Sequence, residues 1–135
     1  MIGTNNLHED KKAYPPDHPK HIFAGITAIV GEVRKRLPKS KIVIFSIFPR
    51  KAGLAHERAK AVNALLPQLT DAKAVSHFDL NHFFTTEKGL QDKTFYNKDL
   101  LHFNEQGYFV WAKALKPLLE KHGLRVNLNA LGEKE

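Results

Sequence analysis

The 135 residues predict an α/β domain built on a parallel sheet, on three observations. Apolar residues recur at helical spacing in three segments, and short runs rich in branched apolar residues lie between them. One such run, residues 41–48, is apolar on both faces, which suits a strand covered on both sides rather than one with a wet face. The resulting order is a strand end, helix, strand, helix, strand, long loop, helix. That alternation marks helices packed on the faces of a parallel sheet.

Each element follows from its residues. Pro15 and Pro16 mark an irregular stretch after the first residues. From Pro19, which suits the first position of a helix, Ile22, Phe23, Ile26, Val30, Val33 and Leu37 form one apolar stripe, and Pro38 ends it. Residues 41–48 are the first complete strand, closed by Pro49. A second helix is expected over residues 55–69, with Ala59, Val62, Leu65, Leu66 and Leu69 on one side. Residues 74–80 make a shorter strand. Residues 81–101 show no clean period, and a loop that long within a domain is often functional. Asn104 is a good N-cap for a last helix that stops at Gly123, although Pro117 should remove one of its hydrogen bonds and bend it. Residues 1–123 thus read as one domain, with residues 124–135 as a C-terminal tail.

Composition narrows the class of function. Hydrophobic residues make up 42% and charged residues 26%, ordinary for a globular chain. The absence of cysteine excludes disulfides and thiolate metal sites and fits a reducing, cytoplasmic setting. The N-terminus lacks the pattern of a signal peptide, and no apolar run approaches the ~20 residues of a membrane span. The net charge of +7 lies entirely in residues 1–60, with 12 Lys/Arg against 5 Asp/Glu. Residues 34–51 hold seven basic residues and no acid. A solvated helix end and loop accounts for that run, since Arg34, Lys35 and Arg36 suit a helix C-terminus. A phosphate or membrane-surface patch is the alternative. The aromatic interleaving of a nucleic-acid binder is missing, so no nucleic-acid partner is expected.

Two short blocks carry chemistry. Asp99-Leu-Leu-His102 places an imidazole, the usual base for activating a hydroxyl near neutral pH, three residues after a carboxylate able to fix its tautomer. Gly3-Thr4-Asn5-Asn6 places a turn-permissive glycine beside an amide whose N–H can donate to a developing oxyanion. Either block alone reads as polar loop residues or a turn. In a parallel sheet, sites form where strand ends release the chain into loops, and both blocks take that position. His8, Glu9, Asp10, His18 and His21 can be assembled on paper into a metal site, but their spacings match no ligand pattern. His77 and His82 flank a strand end. Phe83, Phe84, Phe95, Tyr96 and Phe103 make the late loop aromatic, as an acyl pocket or as packing anchors.

In order, separation and surroundings, G-T-N-N and D-L-L-H resemble the oxyanion and acid–base blocks of SGNH/GDSL-type serine hydrolases. The likeness is strongest to platelet-activating-factor acetylhydrolase-like and acetylesterase-like members. It extends to the strand at 42–50 ending in Pro-Arg, to the helix at 58–66 with Asn63, and above all to residues 96–111. It covers residues 2–121. The resemblance implies a three-layer parallel-sheet fold, present as its C-terminal part. It implies Asn5 as oxyanion donor, His102 as general base and Asp99 as its orienting carboxylate. Hydrolysis of a small acetyl or short-acyl ester would need no metal or organic cofactor.

The sequence departs from that pattern at its nucleophile. Ser40, Ser46 and Ser76 are its serines, and none stands in a G-D-S block. Ser46, mid-strand in an apolar run, is expected to pack rather than attack. The G-D-S block and the backbone-donating glycine block would correspond to two further βα units, roughly 60–80 residues at ~30 or more per unit. The chain alone is therefore expected to be inactive, and to pair with further copies of itself or with a separate N-terminal fragment. The alternative is a non-catalytic binding or assembly protein on the same scaffold.

Overall fold

The computed structural model describes residues 2–7, 18–125 and 127. Pro15 and Pro16, the candidates His8, Glu9 and Asp10, and most of the expected tail lie outside the described residues.

The main elements, in chain order, are helix α1 (His18–Arg36), strand β1 (Ile42–Phe45), helix α2 (Leu54–Asn63), strand β2 (Val75–Phe78) and helix α3 (Glu105–Lys121). β1 and β2 pair in parallel, Ile42 opposite Val75 through Phe45 opposite Phe78. The parallel sheet and its flanking helices confirm the α/β expectation, and the layers are visible in the packing. Ile44 and Val75 join Ile22 of α1 and Ala55, Ala59 and Val62 of α2 in one buried cluster. Phe45 points to the opposite face, where its ring meets Trp111 of α3 edge-on at 6.4 Å between centroids.

Several expected boundaries move. Ile2 and Gly3 form a turn, not the end of a strand. The helix expected over 55–69 stops at Asn63 and resumes as a separate 3-10 turn, Leu66–Leu69. Pro67 supplies the reason: it has no N–H to continue the helical ladder and its ring crowds the preceding turn. β1 is half the predicted length because its ladder ends where Ile47 finds another partner. The Ile47 N–H donates to Asn63 Oδ1 at 2.7 Å and its carbonyl accepts from Asn63 Nδ2 at 2.9 Å. α3 behaves as expected at its start, where Asn104 Oδ1 accepts from the Gly107 N–H at 2.9 Å, and it continues through Pro117.

The long loop is more ordered than its lack of period suggests. It contains 3-10 turns at Asn81–Phe83 and Lys93–Phe95 and isolated bridges pairing Thr85 with Gln91 and Tyr96 with Phe103. Phe84 and Phe103 stack at 4.5 Å, and Phe48 meets both edge-on. These aromatics anchor the loop under α3 and hold residues 96–103 in place.

Candidate active site

Residues 96–103 form a pinned excursion that carries the Asp99–His102 pair. The Asn97 N–H donates to the His102 carbonyl at 2.8 Å, and Asn97 Nδ2 reaches the Phe103 carbonyl at 3.1 Å. Leu100 takes a left-handed conformation, φ 53°, which costs on the order of 1 kcal/mol for a residue with a Cβ and persists only where the surroundings enforce it. That kink folds the segment back on Asp99. Asp99 Oδ1 accepts from the N–H groups of Leu101 at 2.9 Å and His102 at 3.0 Å. Its Oδ2 lies 2.7 Å from His102 Nδ1.

The carboxylate therefore faces three donors. The hydrogen bond from the His102 ring, followed by the two backbone N–H groups, lowers the Asp99 pKa from 3.8 to about 2. An anion at Asp99 holds the proton on Nδ1, so Nε2 carries the lone pair, the tautomer a general base needs. The side chains of His102 and Asp99 are 61% and 49% exposed, leaving the ring open to an incoming hydroxyl.

Asn5 sits in the 3-10 turn Thr4–Asn6, introduced by Gly3 at φ 89°. Gly3 is required twice over. Its backbone lies in the left-handed region, and a Cβ there would stand 2.9 Å from Ile47 Cδ1. The turn is held from below by His18, whose Nε2 lies 2.6 Å from the Asn6 carbonyl. His18, a metal ligand only on paper, instead anchors the candidate oxyanion turn. Among the described residues no cluster of three metal-ligating side chains occurs.

Asn5 and His102 line one cavity of about 590 Å³. Its floor is the outer side of β1, and its walls include Ile26, Ile29 and Val30 of α1 and Tyr108 and Trp111 of α3. The structure thus brings the two sequence blocks to one opening. It does not bring a serine to His102 Nε2. Ser46 also borders the cavity but is only 3% exposed, and its Oγ lies 3.0 Å from His77 Nε2. Burial pushes the His77 pKa down, partly opposed by Asp79.

Two supporting residues announce little of their role in the sequence. Asn63 interrupts the apolar side of α2 directly after Val62, a polar residue placed where a core residue would serve. Gln91 is 7% exposed and carries no sequence signal, yet its Nε2 spans the Pro49 and Leu100 carbonyls at 3.0 and 2.9 Å.

Comparison with known proteins gives the family. A family model for GDSL-like lipases and acylhydrolases matches residues 1–110, and the chain belongs to that family. A solved structure from Streptococcus pneumonia, provisionally described as a platelet activating factor, is similar to it at 25% identity and a TM-score of 0.71. The match covers 88% of this chain and 57% of that one, so the chain spans little more than half of its structural neighbour. Among curated proteins none matches.

Proposed function

We propose that this chain supplies the general base and a side-chain oxyanion donor of a serine ester hydrolase acting on acetyl or short-acyl esters. The observation that carries the reading is the Nδ1-bonded Asp99–His102 pair opening on the same cavity as Asn5. In the reaction a serine hydroxyl attacks the ester carbonyl while His102 Nε2 takes its proton. The tetrahedral oxyanion accepts from the Asn5 amide, and collapse expels the alcohol, which recovers the proton from His102. Water then repeats the sequence on the acyl-enzyme.

The serine belongs to a segment other than these 135 residues, on this reading, and residues 1–123 act as one hydrolase unit with it. Support comes from the outer edge of β1. The Ile42 N–H donates to Ala74 and the Ser46 N–H to Phe78, both in the direction of β2. Alternate residues of a parallel strand face opposite neighbours, so the Val43 and Phe45 N–H groups face the cavity. An open edge of this kind accepts a further strand. A second copy or an N-terminal fragment is the partner that fits it.

The test is turnover of p-nitrophenyl acetate by the chain supplied, fused or in trans, with a segment bearing the G-D-S block. Hydrolysis is expected, with His102→Ala lowering it by several orders of magnitude and Asn5→Ala by about 100- to 1000-fold. Near-unchanged turnover in His102→Ala would remove the assignment.

A further inference from the structure

Gln91 is a buried polar side chain to which the reaction gives no part. It is 7% exposed, and its Nε2 donates to the Pro49 carbonyl at 3.0 Å and to the Leu100 carbonyl at 2.9 Å. Its Oε1 is buried without a partner among the described residues. A buried acceptor left unpaired is unfavourable, so methionine, of similar shape, would serve better if packing were the whole role. The amide also stands on a fixed base. Gln91 pairs with Thr85 in an isolated bridge, and beside it the Asp92 N–H donates to the carbonyl of the fully buried Phe84 at 2.9 Å.

The group that Gln91 grips at Leu100 bears directly on the acid. The Leu100 carbonyl and the Leu101 N–H are the two ends of one planar peptide unit. The carbonyl end accepts from Gln91, and the N–H end donates to Asp99 Oδ1 at 2.9 Å. Holding one end of the plane holds the other. The unit follows Leu100 in its left-handed conformation, φ 53°, which a residue with a Cβ keeps only when its surroundings enforce it. Donation to the carbonyl also polarises the amide and strengthens its N–H as a donor. The other carboxylate oxygen, Asp99 Oδ2, faces His102 Nδ1 at 2.7 Å.

We propose that Gln91 is a positioning residue of the acid–base pair: through the peptide plane between Leu100 and Leu101 it holds the N–H that fixes the Asp99 carboxylate against His102. The proposal rests on Asp99–His102 being the catalytic pair, but its readout is the ionisation of Asp99 and needs no turnover. A failed hydrolysis assay and a failure of this proposal are therefore told apart.

The test is a carbon-detected NMR titration of Asp99 in the full 135-residue chain, with the Leu101 amide proton followed alongside. In the unmutated chain the Leu101 proton should shift through the Asp99 midpoint near 2. Gln91→Met should raise that midpoint toward 3.8 and remove most of the Leu101 response. Gln91→Asn, which keeps a buried amide but falls one methylene short of Leu100, should do the same and serves if the methionine variant does not fold. Gln91→Met/Leu100→Gly should bring the midpoint back toward 2, because glycine enters the left-handed region freely. Asn63→Leu controls for lost stability alone: the Asn63 hydrogen bonds go to Ile47, and the Asp99 midpoint should not move. Arg50, Lys51 and Lys98 share a cavity with Asp99 and are present in every variant, so differences between variants do not come from their charges. An unmoved midpoint in a folded Gln91 variant overturns the proposal. So does an equal rise in Asn63→Leu, or a glycine at position 100 that restores nothing.

Discussion

At the scale of single residues, the Asp99 carboxylate decides the character of the site. Three donors converge on it, and the lowered pKa keeps it ionised across the range in which a histidine base works. The pH dependence takes its sign from that shift. A carboxyl whose folded pKa is depressed binds fewer protons folded than unfolded, so its contribution to stability is complete above its ordinary value of 3.8. It is lost as pH falls toward 2. A carbon-detected NMR titration should place the Asp99 midpoint near 2. In His102→Ala the midpoint should rise toward the ordinary range without reaching it, because the backbone N–H groups of residues 101 and 102 remain. An unchanged midpoint would show that the ring does not hold the carboxylate. His77 runs the other way. Burial disfavours its charged form, so its contribution is present above the ordinary histidine pKa of 6.5 and declines as pH falls below it.

At the scale of elements, the site depends on how β1 ends and how α3 begins. Asn63 of α2 takes both backbone groups of Ile47, and Ile47 packs against Gly3 at the base of the Asn5 turn. In Asn63→Leu the Ile47 carbonyl keeps Asn81 Nδ2 at 3.0 Å, but the N–H loses the Asn63 oxygen. One orphaned buried donor costs about 1–3 kcal/mol, which denaturant unfolding would register as a lower midpoint. Gly107 is equally constrained, since a Cβ there would stand 2.2 Å from the Phe95 carbonyl oxygen and 3.0 Å from Phe103. Gly107→Ala should cost about 1–3 kcal/mol through the forced shift and should loosen the loop that carries Asp99. Denaturation at the wild-type midpoint would contradict either claim.

These elements also show how far the sequence alone reaches. Helical periodicity located α1 and α3, and the Asn104 cap fixed the start of α3 to the residue, because those signals are local. The apolar run at 41–48 identified β1 but overstated its length, since a strand ends where its partners end and those partners lie elsewhere in the chain. Pro67 was a visible breaker inside the expected second helix. The pairing of Asp99 with His102 was legible from spacing and resemblance. The supports supplied by His18, Gln91 and the left-handed Leu100 were not, because each acts through a residue remote in sequence or through a backbone conformation that no side chain announces.

At the scale of the whole molecule, the apolar cavity beside β1 dominates. Ile2, Ile29 and Tyr108 on its lining are 66%, 43% and 53% exposed, and the buried Trp111 indole N–H lacks a partner among the described residues. At ~25 cal/mol per Å², covering several hundred Å² of such surface offers on the order of 10 kcal/mol before the entropic costs of association. Sedimentation equilibrium at low micromolar concentration should therefore find a dimer or larger assembly, or a complex with a fragment that fills the cavity. A folded, strictly monomeric chain that binds no hydrophobic dye would contradict this.

The central claim is that His102 and Asn5 serve a serine from another segment, and fluorophosphonate labelling read by mass spectrometry tests it most directly. The chain alone should take up no reagent at Ser40, Ser46 or Ser76. With a G-D-S segment supplied, the adduct should appear on that segment's serine and vanish in His102→Ala. An adduct on Ser46 of the chain alone, lost in Ser46→Ala together with ester turnover, would contradict the claim and move the nucleophile to the Ser46–His77 pair.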